Sequence, residues 1–151
     1  MKYYLGIDTS NYTTSAAACS EDGKIIAMER QLLPVAQGGC GLRQSDAVFA
    51  HTKQFGDVID RLRAALPADA DPTAVGCSAR PRDVEGSYMP CFLVGRCNAA
   101  ALSAVCSVPM YEFSHQAGHV EAAIYGSVAQ QLHGRRFYAF HVSGGTTELL
   151  E

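Results

Sequence analysis

The strongest constraint on this chain is the order in which its hydrophobic patterns change period. Three short runs come first, Lys2 to Asp8, Thr13 to Cys19 and Lys24 to Gln31, rich in β-branched, aromatic or small apolar residues and bounded by turn formers. Glu21-Asp22-Gly23 reads as the hairpin turn between the second and the third. Leu33 to Leu42, with Pro34, Gly38, Gly39 and Gly41, reads as a loop. The period then lengthens. Val48, Phe49, Thr52, Phe55, Val58, Ile59, Leu62 and Leu66 recur at helical spacing, with Lys53, Asp57, Asp60, Arg61 and Arg63 opposite. Ser45 is the expected N-cap and Pro67 the stop. Ala74 to Ala79 reads as a buried strand. Pro90 to about Cys106 reads as a helix so uniformly small and apolar that it is expected to be covered on more than one side. Pro109 to Phe113 is a brief strand, Ser114 caps a helix expected to reach Leu132, and Phe137 to Val142 is a further strand. The order β-β-β-α-β-α-β-α-β predicts the ribonuclease-type α/β layout, in which helices cover a mixed sheet.

At 151 residues the chain is expected to form one domain with a sizeable core. Apolar residues at 48% and charged residues at 18% exclude a disordered or membrane-spanning class. The net charge of -3 carries no basic stripe of the kind a nucleic-acid-binding domain shows, and Arg80-Pro81-Arg82 and Arg135-Arg136 are the basic clusters. If RNA is a ligand, much of its docking surface lies elsewhere. Six cysteines without a Cys-x-x-Cys pair, and an N-terminus without a basic-then-apolar segment, predict reduced thiols and a cytoplasmic protein. Cys77 and Cys97 are expected to fill the core.

Three constellations can carry chemistry. His115 and His119 lie four apart on one helix, so both imidazoles can address one divalent metal ion. The alternative is a pair of partly exposed, hydrogen-bonded histidines. His115 follows the Ser114 cap, where the positive helix end favours the neutral imidazole that ligates metals. Gly118 costs the helix about 1 kcal/mol relative to Ala, which is understandable if something approaches the backbone there. The polar loop from Asp8 to Ser15 offers hydroxyls, Ser10 among them, that can hold phosphate, and Asp8 can orient a metal-bound water. The same residues are also good turn formers. Finally, Ser143-Gly144-Gly145-Thr146-Thr147 supplies the ingredients of an anion-binding nest or of a plain hairpin turn, with His141 two residues upstream. Arg80-Pro81-Arg82-Asp83 can likewise meet a phosphate or stay solvated.

In this order, Leu5-Gly6-Ile7-Asp8-Thr9-Ser10, Arg43 to His51, His115-x-x-Gly118-His119 and Val142-Ser143-Gly144-Gly145-x-Thr147-Glu148 resemble the TsaD family. These are the universal tRNA threonylcarbamoyltransferases long called O-sialoglycoprotein endopeptidases. The opening Asp-Thr-Ser is shared with the wider sugar-kinase, actin and heat-shock ATPase superfamily, and the histidine pair followed by Val-Ser-Gly-Gly is the specific part. The resemblance implies a two-lobe actin-like ATPase fold, with residues 1–136 as the first lobe and 137–151 as opening strands of a second. It implies that His115 and His119, with an aspartate of the second lobe, hold iron or zinc. It also implies that His141, Val142, Ser143, Gly144 and Gly145 line a site for an adenylate or ATP-type nucleotide. The implied reaction moves a threonylcarbamoyl group from its adenylate to an adenosine flanking the tRNA anticodon. The implied partners are tRNA, through the full-length protein, and a homologous actin-like protein or a second copy, with no membrane. As the front part of such an enzyme the chain is expected to be inactive alone.

Two departures favour a divergent paralogue. Arg80-Pro81-Arg82 stands where the family has Gly-Pro-Gly, and His141 stands where some relatives place a metal-binding tyrosine, which makes it a candidate third ligand. The rival readings are a non-catalytic actin-like partner or scaffold in a modification complex, an ATP-binding lobe without metal, and a metal-dependent glycoprotease.

Overall fold

The computed structural model describes residues 1–35, 41–125, 127–142 and 147–151. Strands β1 (Lys2–Asp8), β2 (Thr13–Cys19) and β3 (Ile25–Leu32) form an antiparallel meander. After helix α1 (Gln44–Ala65), strand β4 (Asp71–Arg80) pairs parallel with β1. After helix α2 (Phe92–Cys106), strand β5 (Met110–Ser114) pairs parallel with β4. The sheet order is β3-β2-β1-β4-β5. Helix α3 (His115–Ile124) and a 3-10 turn (Val128–Leu132) lead to an antiparallel hairpin of β6 (Ala139–Val142) and β7 (Thr147–Leu150). The predicted layout is therefore the observed one: a mixed sheet with helices on its faces.

Period-two alternation explains how β1 serves both core and site. Tyr3, Leu5 and Ile7 are buried toward α1 and α2, whereas Tyr4, Gly6 and Asp8 take the opposite face. On β2, Thr14, Ala16 and Ala18 form the matching buried row, and their small side chains let α1 approach. Phe55, Val58, Leu62 and Leu66 fill that interface, each worth about 1.5–3 kcal/mol of transfer free energy.

Several expectations are corrected. The first helix is capped by Arg43 rather than Ser45: the Arg43 carbonyl already accepts from the Ala47 N–H at 2.9 Å, so Ser45 falls inside the first turn. Its buried face also differs, because Phe49 is 66% exposed while His51 and Gln54 are buried. The third helix stops at Ile124 rather than running to Leu132. The Ser127 hydroxyl donates to the Ile124 carbonyl at 2.8 Å and accepts from the Ala129 N–H at 3.0 Å, offering the backbone a local alternative to the helix. Helix α2 is covered on one side only: Phe92, Val94, Gly95 and Ala99 are buried, but Val105 is 83% exposed. Cys97 lies on that open side rather than in the core, whereas Cys77 is buried as expected and Cys91 is buried as well.

Candidate functional site

Strands β1, β4 and β5 run parallel, so their carboxyl ends meet at one edge of the sheet, where open α/β sheets bind ligands. Asp8 ends β1 there. Ser114 ends β5 and caps α3, its hydroxyl accepting from the Ala117 N–H at 3.1 Å and donating to Asp83 Oδ2 at 2.7 Å. That junction places His115 directly over the end of β1.

Asp8 Oδ2 lies 2.9 Å from His115 Nδ1. Its other oxygen accepts from the Ser10 N–H at 2.8 Å and from the Ser10 hydroxyl. Burial by itself would raise the Asp8 carboxyl, but the hydrogen bonds from His115, Ser10 and Ser78 outweigh it and hold the group far below the usual carboxylate range. An ionised carboxylate can only accept, so His115 Nδ1 carries a proton, and in the neutral tautomer Nε2 is the lone-pair nitrogen. That Nε2 is 2.8 Å from Nε2 of His119, with the rings nearly perpendicular at 79° and 4.3 Å between centroids. Desolvation on its inner side lowers the His119 pKa, and the neighbouring His115 and His141 lower it further. His119 is thus biased toward the neutral form.

This arrangement is that of a carboxylate-backed histidine ligand. Two tetrahedral zinc ligands at about 2.05 Å would stand about 3.3 Å apart, so the observed pair needs to spread only slightly to admit an ion. His141 on β6 packs its ring 5.6 Å from that of His119, and its Nδ1 is buried without a hydrogen-bond partner among the described residues. The donor chemistry fits iron or zinc. The set is not closed, however, since no three ligand-type side chains converge among the described residues.

Beside the histidines a cleft of about 780 Å³ opens between the sheet and α3. Its floor is Gly6, Ala17 and Gly76, its walls include Met28 and Phe113, and Asp8 and Ser10 stand at its polar end. A Cβ at Gly118 would meet nothing within 4 Å, so packing among the described residues does not demand glycine there. Ser10 spends its hydroxyl on Asp8, and Val142, 72% exposed, is outside the row that carries His141. The expected site residues Ser143, Gly144 and Gly145 lie outside the described residues. Neither loop arginine is free: Arg80 pairs with Asp83, and Arg82 with Glu148.

A second polar centre escaped the sequence reading because histidine and glutamine on a helix look like solvent-facing residues. Fully buried His51 on α1 meets Thr14 Oγ1 through Nδ1 at 2.7 Å, and Gln54 Nε2 donates to that oxygen at 2.8 Å and to the Gln31 carbonyl at 2.9 Å. The other ring nitrogen of His51, Nε2, is buried beside the Asn11 backbone. Asn11 itself adopts a left-handed φ of 44° in the turn that follows Asp8. The four-residue offset of His51 from Ala47 and its three-residue offset from Gln54 were the available signal.

No protein-family model matches this sequence, and no curated protein does. Solved structures do. The fold is similar to that of YeaZ from Pseudomonas aeruginosa, with a TM-score of 0.60 at 15% identity, covering 100% of this chain and 65% of that one. It is also similar to an uncharacterised protein with similarity to peptidase YEAZ from Pseudomonas aeruginosa, with a TM-score of 0.59 at 14% identity, covering 100% and 64%. The chain therefore spans slightly less than two thirds of the length of these structures. At such identities the likeness is one of fold, and the ribonuclease-type, actin-like architecture is what it establishes.

Proposed function

We propose that this chain is a metal-binding, actin-like lobe of the TsaD type, serving transfer of a threonylcarbamoyl group from its adenylate to a tRNA adenosine. The observation that carries the reading is the relay Asp8–His115–His119, in which an ionised carboxylate fixes one imidazole and leaves its Nε2 facing the other at 2.8 Å. In this reading His115 and His119 hold iron or zinc, with His141 as the nearest further donor. A bound divalent ion supplies Lewis-acid polarisation of the carbamoyl oxygens. Asp8 keeps the His115 proton on Nδ1, Ser10 helps keep Asp8 ionised, and the cleft beside the histidines offers room for a bound group.

The test is elemental analysis of the purified chain beside its His115→Ala/His119→Ala variant. About one equivalent of iron or zinc in the parent and none in the variant is the expected result. Adenylate binding to the metal-loaded chain is then the next assay.

A second reading has its own support. The likeness to the YeaZ structures, together with a ligand set left open among the described residues, favours a non-catalytic actin-like partner in a tRNA-modification complex. A metal-free chain that binds a homologous actin-like protein in sedimentation would favour it over the transferase.

A further inference from the structure

Arg82 and Glu148 are 66 positions apart in sequence and form an ion pair. It joins the loop after β4 to strand β7. Glu148 also accepts from Gln116 Nε2 at 2.7 Å, in the first turn of α3. The arginine sits on an anchored backbone: its N–H donates to the Ser87 hydroxyl at 3.0 Å, and the preceding Pro81 carbonyl accepts from the Gln116 N–H at 3.1 Å. Directly across the hairpin from Glu148 stands His141. Ala139, His141, Glu148 and Leu150 form the half-buried row of the hairpin, whereas Phe140, Val142 and Leu149 are exposed.

A two-stranded hairpin is marginally stable alone. The direction of its inner row therefore depends on what ties it to the rest of the molecule, and Glu148 is tied to two separate elements at once. One of those ties comes from the arginine that stands where the resembled family has glycine. Its guanidinium is committed to a carboxylate and so is not offered to a phosphate.

We propose that Arg82, Gln116 and Glu148 form a clasp that aims the β6–β7 hairpin, so that His141 faces the His115–His119 pair. Arg82 and Glu148 are then positioning residues for the candidate metal centre. The purpose of the clasp rests on the metal-binding reading above, whereas its geometry does not. A lysine at 82 keeps the charge but loses the planar fork, so Arg82→Lys retains part of the effect.

Two readouts separate the claims. In the metal-free protein, the nuclear Overhauser contact between the ring protons of His119 and His141 reports the geometry. Cobalt(II) affinity and its visible absorption report the metal centre. The contact is expected in the parent, lost in Arg82→Ala, and recovered in the charge-exchanged Arg82→Glu/Glu148→Arg variant. Cobalt affinity is expected to fall about fivefold in Arg82→Ala, the upper end for a partly exposed ion pair. It should fall at least as far in His141→Ala. A contact, affinity and spectrum unchanged in Arg82→Ala would overturn the clasp while leaving metal binding in place. Loss of the contact with no recovery in the exchanged variant would overturn it as well, since a local collapse of the loop then explains the result. If the parent binds no cobalt, the metal reading fails, and the ring contact still decides the clasp.

Discussion

Oδ2 of Asp8 and Nδ1 of His115 lie 2.9 Å apart although 107 positions separate them in the sequence. The carboxylate sets both the tautomer and the direction of the imidazole. Asp8→Asn keeps an acceptor but removes the charge, and Asp8→Ala removes both. Zinc affinity measured against a chromophoric chelator should fall about tenfold to a hundredfold in Asp8→Ala, with Asp8→Asn between it and the parent. Equal affinities in all three proteins would show that Asp8 does not orient the ligand.

Acidification should weaken the fold through His51. Burial lowers the His51 pKa, with the Asp8 charge and the Asn11 carbonyl opposing the shift. In the unfolded chain the group titrates near 6.5. The folded state refuses a proton that the unfolded state accepts, so stability is complete above about pH 6.5 and declines as pH falls below it. His119 is shifted in the same direction, so the informative comparison is between the parent and His51→Gln. The urea midpoint of the parent should drop more between pH 7.5 and 5.5 than that of the variant.

Two helix glycines should respond oppositely to alanine. At Gly118 the added Cβ meets nothing within 4 Å, so Gly118→Ala should gain about 1 kcal/mol of helix propensity and raise Tm by about 2–4 °C. At Gly95 the Cβ would sit 2.8 Å from Thr9 Oγ1, the atom that bonds the Gly95 N–H at 3.0 Å and the Cys91 carbonyl at 2.9 Å. Gly95→Ala should therefore cost about 1–3 kcal/mol, and thermal melts of the two variants give the comparison.

Thiol labelling should separate the cysteines by depth. Cys97 and Cys106 are exposed and should react with iodoacetamide in the native protein. Burial, assisted by the Glu112 charge, pushes the Cys77 thiol up to about 11, and burial also raises Cys91. Both should become modified only on unfolding, which peptide mass mapping with and without urea would show.

The order of elements was legible because each strand and helix announces itself by local periodicity. Strands β1 and β2 begin and end where the alternation predicts, and β3 is displaced by one residue. Helix ends were less legible. The break before Leu132 depends on how one serine hydroxyl divides its bonds, which composition does not reveal. The helical pair His115 and His119 could be read from spacing alone, since four residues along a helix impose neighbourhood. Helical spacing from Ala47 and Gln54 puts His51 on the buried face, but nothing local names its partner, because Thr14 lies on a strand 37 positions earlier.

By itself, the sequence determined a mixed α/β architecture and put two imidazoles side by side at the start of one helix. Both follow from short-range geometry, in which the backbone period dictates which residues share a face. Tertiary structure alone decided that Asp8 backs His115, that Arg82 is spent on Glu148, and that His141 stands beside His119. Those relationships join residues that become neighbours only when parallel strands align their carboxyl ends and the final hairpin folds back on α3. Such long-range register is set by the packing of the whole sheet, and no local pattern records it.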